Sequence, residues 1–349
     1  MTKTVLLIGS QPERMTRLKR TFSSLKSLGV NVKVMRPYTK PDGRPRILKG
    51  IVRYLVLIVQ VIGSKADIFH FFNVPDVIGF PLLFKRATVI YDVRSPWFSS
   101  IKESLGNSFL SKIGGLIERI MTGGADVVLT ANYPLAHRAH KWGAKRIIMV
   151  PNYPPSDFSP KQDSETIRKR IGIVDAPTVL YLGKISLLEG SELLKRIILK
   201  TTQEIQDTQF LIVGDGPQKR SLGKFVKEHN LEKRVNLTGW IEHEEVADYI
   251  SVADLCVFPR EWTTFSDYTT KENILKIGEY LSLGKPVVAP RMGGFVNAEF
   301  PIIAVDPSEM PEAVIKFLKN PRAVEFFERP TWDISHRRLK IVYSDLGAL

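Results

Sequence analysis

Cysteine is almost absent: Cys256 stands alone among 349 residues. A single thiol excludes an internal disulfide and points to a reducing compartment or to no redox constraint. It lies in the apolar run Leu255–Phe258 and reads as a small core residue. An apolar run long enough to cross a bilayer is missing too, since about 20 residues are needed. The most apolar stretch, IVRYLVLIVQVI at Ile51–Ile62, is shorter and is interrupted by Arg53 and Gln60. No secretory leader is read at the N-terminus, where MTKTVLLIGS runs straight into a strand-like segment. The dinucleotide fingerprint G-x-G-x-x-G fails, because Gly214-Asp215-Gly216 is followed by Pro217 and Lys219, and no P-loop occurs. No Ser-His-Asp set assembles from sequence order. His137 and His140 are three apart on an expected helix, yet no Asp, Glu or Cys at fitting spacing joins them, so no metal site is expected.

Acidic residues are the minority: 36 Asp and Glu against 50 Lys and Arg, a net charge of +14. Such a charge attracts anions, whether nucleic acid, anionic lipid or phosphorylated small molecules. Nucleic acid is not an expected partner, because charge alone supports it and no helix-turn-helix, zinc-finger or RNA-recognition signature is present. The basic residues recur in the N-terminal half. Arg14, Arg17, Lys19 and Arg20 follow the first strand, and Arg44, Arg46, Lys49 and Arg53 precede or enter the apolar stretch at Ile51–Ile62. Basic flanks beside an apolar helix suit attachment to an anionic membrane surface. A buried helix covering a sheet is the other reading, and both hold if one face packs while the other rests on lipid.

The first half of the chain alternates strands and helices. Strands are expected at Val5–Ile8, Val30–Met35, Ala66–Phe72, Ala87–Tyr91, Asp126–Thr130 and Arg146–Val150. Helical spacing occupies Leu18–Leu28, Ile51–Ile62, Phe109–Met121 and Leu135–Trp142, and Pro81–Phe84 ends a short helix. Pro151-Asn152-Tyr153-Pro154-Pro155 and the polar SDFSPKQDSE after it read as a linker. The alternation then resumes, with strands at Thr178–Leu182, Gln209–Val213, Val235–Leu237, Leu255–Phe258, Val287–Ala289 and Ile302–Val305. The fold class is therefore α/β, with two tandem Rossmann-like, doubly wound domains. In open parallel sheets ligands bind beyond the carboxyl ends of the strands. That directs attention to Gly9-Ser10, Asn73, Asp92–Arg94, Gly183-Lys184, Gly214–Gly216, Gly239-Trp240 and the loop Arg260–Glu272.

The stretch Glu272–Pro290, ENILKIGEYLSLGKPVVAP, reads as a helix, a turn at Gly284 and a buried strand. Glu279 sits inside that helix with Lys276 one turn earlier. They form either a surface salt bridge or polar groups offered to a ligand.

At this point the chain resembles the retaining, nucleotide-sugar-dependent glycosyltransferases of glycosyltransferase family 4, the group 1 family. The pieces that carry the resemblance are VLYLGKISLLE at Val179–Glu189, FLIVGDGP at Phe210–Pro217, VNLTGWI at Val235–Ile241, ADLCVFP at Ala253–Pro259 and KIGEYLSLGKPVVAP at Lys276–Pro290. DVVLTA at Asp126–Ala131 and IMVPNY at Ile148–Tyr153 match the end of the first domain. The resemblance implies the GT-B architecture, two Rossmann-like domains facing across a cleft. Residues 1–155 would bind the acceptor and 156–330 the nucleotide-sugar, with the C-terminal segment 331–349 crossing back to the first domain.

Carried over residue by residue, the resemblance implies that Glu279 holds the ribose hydroxyls and that Lys184, where the family usually has arginine, meets the diphosphate. Lys276 would join Lys184 there or pair with Glu279. The implied donor-binding set is Gly183, Lys184, Gly214, Trp240, Asn273, Ile274, Lys276 and Glu279. The implied catalytic set is Lys184, Arg94 and Glu272, and the acceptor side is Gly9, Ser10, Asn73, Asp92 and Arg94. Three positions depart from the family pattern. Lys271 stands where the family has its first glutamate, with Glu272 one place later. Glu189-Gly190 replaces a phosphate-binding Lys-Gly pair, and Arg94 replaces a frequent histidine. Arginine cannot act as a general base at neutral pH.

The expected activity is metal-independent transfer of a hexose from a nucleoside diphosphate sugar to an acceptor hydroxyl, with retention of anomeric configuration. No cofactor is expected beyond the sugar nucleotide as co-substrate. The expected acceptor is lipid-linked or a glycan, and the expected place is cytoplasmic, peripheral on the cytoplasmic face of a membrane. Two rivals remain: a catalytically silent binding or scaffold protein of the same fold, and a sugar-nucleotide epimerase with Asp267 and Glu272 as its candidate carboxylates.

Overall fold

Strands buried on both faces must be near-continuous apolar runs, and the runs in this sequence behave so. Strand β3, Ile68–Phe72, is buried at all five residues, as is β8, Gln209–Val213. A computed structural model of the chain describes residues 3–37, 46–73, 75–98, 101–102, 106, 108–324 and 330–349, with the side chains of 46–51 outside that set. The loop read at Pro37–Pro45 lies outside the described residues from 38 onward, together with the Arg44, Arg46 and Lys49 side chains.

The first sheet contains β1 (Thr4–Ile8), β2 (Asn31–Val34), β3, β4 (Thr88–Val93), β5 (Val127–Thr130) and β6 (Ile147–Met149). Their order is β2-β1-β3-β4-β5-β6, and every pairing is parallel. The second contains β7 (Thr178–Leu182), β8, β9 (Val235–Gly239), β10 (Leu255–Val257), β11 (Val287–Pro290) and β12 (Ile302–Val305). Its order is β12-β11-β10-β7-β8-β9, again all parallel. The chain divides into a first unit, Met1–Asn152 with Trp332–Leu349, and a second, Tyr153–Thr331. Each is a Rossmann-like α/β unit, as the strand alternation in the sequence implies.

The second unit has one apolar core on each face of its sheet. One gathers Leu180, Phe258, Ile277 and Tyr280, and the other Val179, Ile197, Phe210 and Val314. In the first unit the C-terminal helix Asp333–Asp345 closes the core, with Leu339, Val342 and Tyr343 fully buried. Trp332 Nε1 donates to Ser24 Oγ at 2.8 Å and Ser335 Oγ to the Pro151 carbonyl at 2.6 Å.

Three element readings need correction. The polar stretch after Pro155 is not linker throughout: Ser164–Ile171 is a helix, capped by Asp163 and stopped by left-handed Gly172. Strand β4 does not end at Tyr91 but carries on through Asp92 and Val93, because Asp92 is neutralised inside the unit. The helix of the Glu272–Pro290 stretch starts only at Leu275 and ends at Ser282. Asn273 holds the turn before it, accepting from Thr270 N at 2.9 Å and donating to the Tyr268 carbonyl at 2.7 Å.

Candidate functional site

In the second sheet the strand order reverses between β7 and β10, and that switch point is where open α/β sheets leave a crevice for ligand. Glycines let the loops around it close on one another. A Cβ on Gly214 (φ +134°) would lie 2.0 Å from the Gly183 carbonyl oxygen, and one on Gly190 (φ +79°) would lie 1.4 Å from that of Pro259. Backbone bonds tie these loops together. Gly183 N donates to Val213 O at 2.9 Å, Ile185 N to Asp215 O at 2.9 Å, and Gly214 N to Gly239 O at 2.9 Å.

Charge converges at the same switch point. Lys276, on the first turn of the helix Leu275–Ser282, places its Nζ 2.9 Å from Glu189 Oε2. Arg260, following β10, brings a guanidinium nitrogen within 3.7 Å of Glu189 Oε1. The Lys276 ammonium also faces the rings of Tyr181 at 5.1 Å and Phe258 at 5.2 Å. Burial works against its charge, but Tyr181 and Glu189 outweigh burial and keep its pKa above the usual lysine value. Of these two, Glu189 is the one ionised at neutral pH, since burial pushes the Tyr181 phenol up. Burial would likewise raise Glu189, but Lys276, Arg260 and then Lys184 hold it below the usual carboxylate range. Lys184 itself is exposed, and its carbonyl accepts from Tyr181 Oη at 2.8 Å.

Of the two readings for Lys276 and Glu279, a salt bridge between them is not what the helix makes. Glu279 is buried, and its Oε1 lies 2.9 Å from His243 Nε2. Each residue has its partner off the helix, Glu189 for Lys276 and His243 for Glu279. His243, in the turn after β9, was not picked from sequence. Its signal is a lone histidine in IEHEEV, with nothing local to tie it to Glu279. Arg260 lies in the strand-end loop Arg260–Glu272, where no motif gives it a role. Glu272 Oε1 accepts from Tyr153 Oη at 3.5 Å. The Asn273 side chain is spent on its own loop, and Ile274 N donates to Thr270 O at 3.2 Å. Trp240 is 76% exposed. Within the second unit, then, Gly183, Lys184, Gly214, Lys276 and Glu189 share the switch point, while Glu279 faces His243.

The first sheet reverses between β1 and β3, whose ends carry Gly9-Ser10 and Asn73. Asn73 and Arg94 form one clamp: Asn73 Oδ1 accepts from Arg94 N at 3.0 Å, and Arg94 Nη2 donates to Asn73 O at 2.9 Å. Asn73 Nδ2 donates to Ser95 O at 2.6 Å. Asp92, expected on the acceptor side, is buried in the interior of the unit. It is 1% exposed and receives Arg17 Nε at 2.9 Å on both oxygens. His70 Nε2 lies 3.3 Å from it, and His70 Nδ1 lies 2.7 Å from Tyr343 Oη. Burial would raise Asp92, but Arg17 and His70 keep it below the usual range. Burial lowers His70, so the ring is neutral, giving Nε2–H to Asp92 and accepting from Tyr343. The buried chain Arg17–Asp92–His70–Tyr343 fastens the C-terminal helix to the sheet.

The chain is similar to known proteins in sequence and in fold. The family model for glycosyl transferases group 1 matches residues 176–320. An alpha-D-kanosaminyltransferase of Streptomyces kanamyceticus is 31% identical over 183 residues, covering 50% of this chain and 45% of that protein. The chain spans less than half the length of the first curated relatives it matches. Among solved structures, sucrose-phosphate synthase from Thermosynechococcus elongatus matches with a TM-score of 0.71 at 18% identity, covering 99% of this chain and 96% of that one. Anabaena HepE in complex with UDP and glucose matches with a TM-score of 0.69 at 14% identity over the whole of both chains. The structural likenesses show the fold, that of the GT-B glycosyltransferases, and residues 176–320 of it are the part that resembles the glycosyl transferases group 1 model.

Proposed function

We propose that this protein transfers a hexose from a nucleoside diphosphate sugar to an acceptor hydroxyl, with retention at the anomeric carbon. The observation that carries the reading is the concentration of Lys184, Lys276 and Arg260 at the β7–β10 switch point, with the buried carboxylate of Glu279 on the same helix as Lys276. The cations suit a diphosphate leaving group, and preorganised charge of this kind is commonly the largest catalytic contribution. A carboxylate can accept two ribose hydroxyls in charge-assisted bonds. The mechanism needs no metal if these side chains carry the charge. Retention follows from the resemblance of the Lys276–Pro290 stretch. In the first unit Arg94 binds acceptor rather than moving a proton, since a guanidinium holds its protons at neutral pH. The acceptor is a lipid-linked or other glycan, taken up by the strongly basic first unit.

The test is a panel of UDP- and GDP-sugars read by thermal shift and by nucleotide release. The right donor at 100 times its dissociation constant adds about 2.7 kcal/mol of stability. Glu279→Gln is expected to weaken that donor about 10- to 100-fold, the worth of a hydrogen bond to a charged group. Should no donor shift the transition and no nucleotide be released, the reading is rejected. A catalytically silent binder is the second reading, favoured by one observation: Glu189 neutralises the lysine at the phosphate site. It predicts a thermal shift with UDP but no turnover of any donor.

A further inference from the structure

The helix Ser108–Gly124 is inside out. Its buried residues are Ser111, Gly114, Glu118, Met121 and Thr122, while Phe109, Leu110, Ile113, Leu116 and Ile120 are exposed. The inward polar groups fix this orientation. Ser111 Oγ donates to Phe98 O at 2.8 Å, Thr122 Oγ1 donates to Glu118 O at 2.8 Å, and Glu118 accepts from Trp97 N at 3.0 Å and pairs with Arg138. Rolling the helix to bury its apolar face would strand those groups, each at the cost of an unsatisfied buried polar group. The helix Arg46–Gly63 adds a second apolar face. Leu57 and Val61 point into the core, but Leu55, Val59 and Ile62 are exposed, Val59 at 69%.

The two faces meet at one short turn, Phe80–Phe84. Leu83 lies against Gly124 at the end of one helix, where a Cβ would sit 2.9 Å from it. Lys85 Nζ, one residue after the turn, bonds Ile62 O and Ser64 O at the end of the other, both at 2.8 Å. Phe84 stands between them, 78% exposed. Two exposed apolar helix faces joined through one exposed turn are the kind of surface that binds a partner.

Charge decides what binds. Lys65, Arg86, Lys112 and Arg119 are exposed on or beside the patch. Within Arg46–Gly63, Asp76–Arg86 and Ser108–Gly124 the only acids are Asp76 and Glu118, and both are buried. The first unit holds 27 Lys and Arg against 10 Asp and Glu, a net of +17, whereas the second holds 23 against 26, a net of −3. A second copy would bring like charge to like charge. We propose that this patch seats the first unit on an anionic lipid bilayer, with the apolar residues of both helices and Phe84 in the interface and the lysines and arginines at the head groups.

The proposal does not depend on the transfer reaction, because vesicle binding needs no donor. The full chain is floated with vesicles of phosphatidylcholine containing about one third phosphatidylglycerol, and with phosphatidylcholine alone. Wild type is expected to float with the anionic vesicles only, and to be released as salt rises toward about 0.5 M. The paired change Ile113→Gln with Leu116→Gln, and separately Lys112→Glu with Arg119→Glu, should each weaken binding at least about tenfold. Both pairs are exposed, so unchanged thermal unfolding and unchanged UDP affinity show that the fold is intact. Equal flotation with neutral vesicles, no flotation at all, or a dimer that the same variants dissolve would overturn it.

Discussion

Glu189 holds the Lys276 ammonium at 2.9 Å and faces Arg260 at 3.7 Å, so an anion sits among the cations that the proposed function assigns to a diphosphate. Glu189→Gln removes that competing charge. UDP affinity is expected to rise about fivefold, roughly 1 kcal/mol at the effective dielectric of a half-buried site. Stability should fall by about 1–3 kcal/mol as two cations lose their counter-ion. Calorimetric titration with UDP and urea unfolding read the two effects, and weaker UDP binding would show that Glu189 positions Lys276 rather than competes. His70 governs acid sensitivity. Its folded pKa is depressed, so its contribution is complete above the unfolded value of about 6.5 and is lost as pH falls from there toward the folded value. Asp92, also depressed, adds its loss at lower pH, from about 3.8 downward. His70→Gln, neutral throughout, should flatten the fall in melting temperature between pH 7 and pH 5 that wild type shows. A parallel fall in both proteins would assign the effect elsewhere. Glu279 is singled out by a local stretch of sequence, and so is the acid at Glu189. The partners that decide their chemistry, His243 and Arg260, arrive from other strand ends, and no local pattern links them. For the same reason a strand-end aspartate such as Asp92 reads as ligand-facing in the sequence, while its Arg17 and His70 partners come from other strands and helices.

The elements around the switch point are held by backbone contact more than by side chains. Gly190 is left-handed and its missing Cβ would meet Pro259 O at 1.4 Å, so backbone itself would have to move. Gly190→Ala is expected to cost about 3 kcal/mol or more and to loosen the Glu189–Lys276–Arg260 cluster with it. Gly284, equally left-handed at φ +68° but with open space around it, should cost only about 1 kcal/mol as alanine. Urea midpoints of the two variants measure the difference, and equal losses would mean that dihedral strain, not the close approach, sets the cost. Strand–glycine junctions of this kind were readable in the sequence, since apolar runs ending in glycine carry a period of their own. Short polar helices were not. Ser164–Ile171 has only two apolar residues, Ile167 and the partly buried Ile171, so its hydrophobic signal is weak, though its Asp163 cap and Gly172 stop are both in the sequence. The start of the helix at Leu275 was misplaced because the Asn273 side-chain bonds, invisible to periodicity, hold Glu272 and Asn273 in a turn.

At the scale of the whole molecule, the chain leaves its first unit at Asn152 and returns to it at Trp332. The returning segment is core, not tail. Trp332, Leu339, Val342 and Tyr343 are buried in the first unit, and Tyr343 completes the bond to His70. Four such side chains, at about 1.5–3 kcal/mol each, are comparable with the entire stability of a domain. The second unit owes nothing to this segment, because both of its cores lie within Tyr153–Thr331. A chain ending at Thr331 is therefore expected to lose the cooperative unfolding of the first unit. Tyr153–Thr331 expressed alone should unfold cooperatively and keep UDP affinity within about threefold of the full chain, since the switch-point residues all lie inside it. Scanning calorimetry with and without UDP separates the two units. Retention of the first unit's transition after truncation would show that the six-stranded sheet holds without its last helix, and the bond from Tyr343 to His70 would then be a refinement of that core rather than its closure.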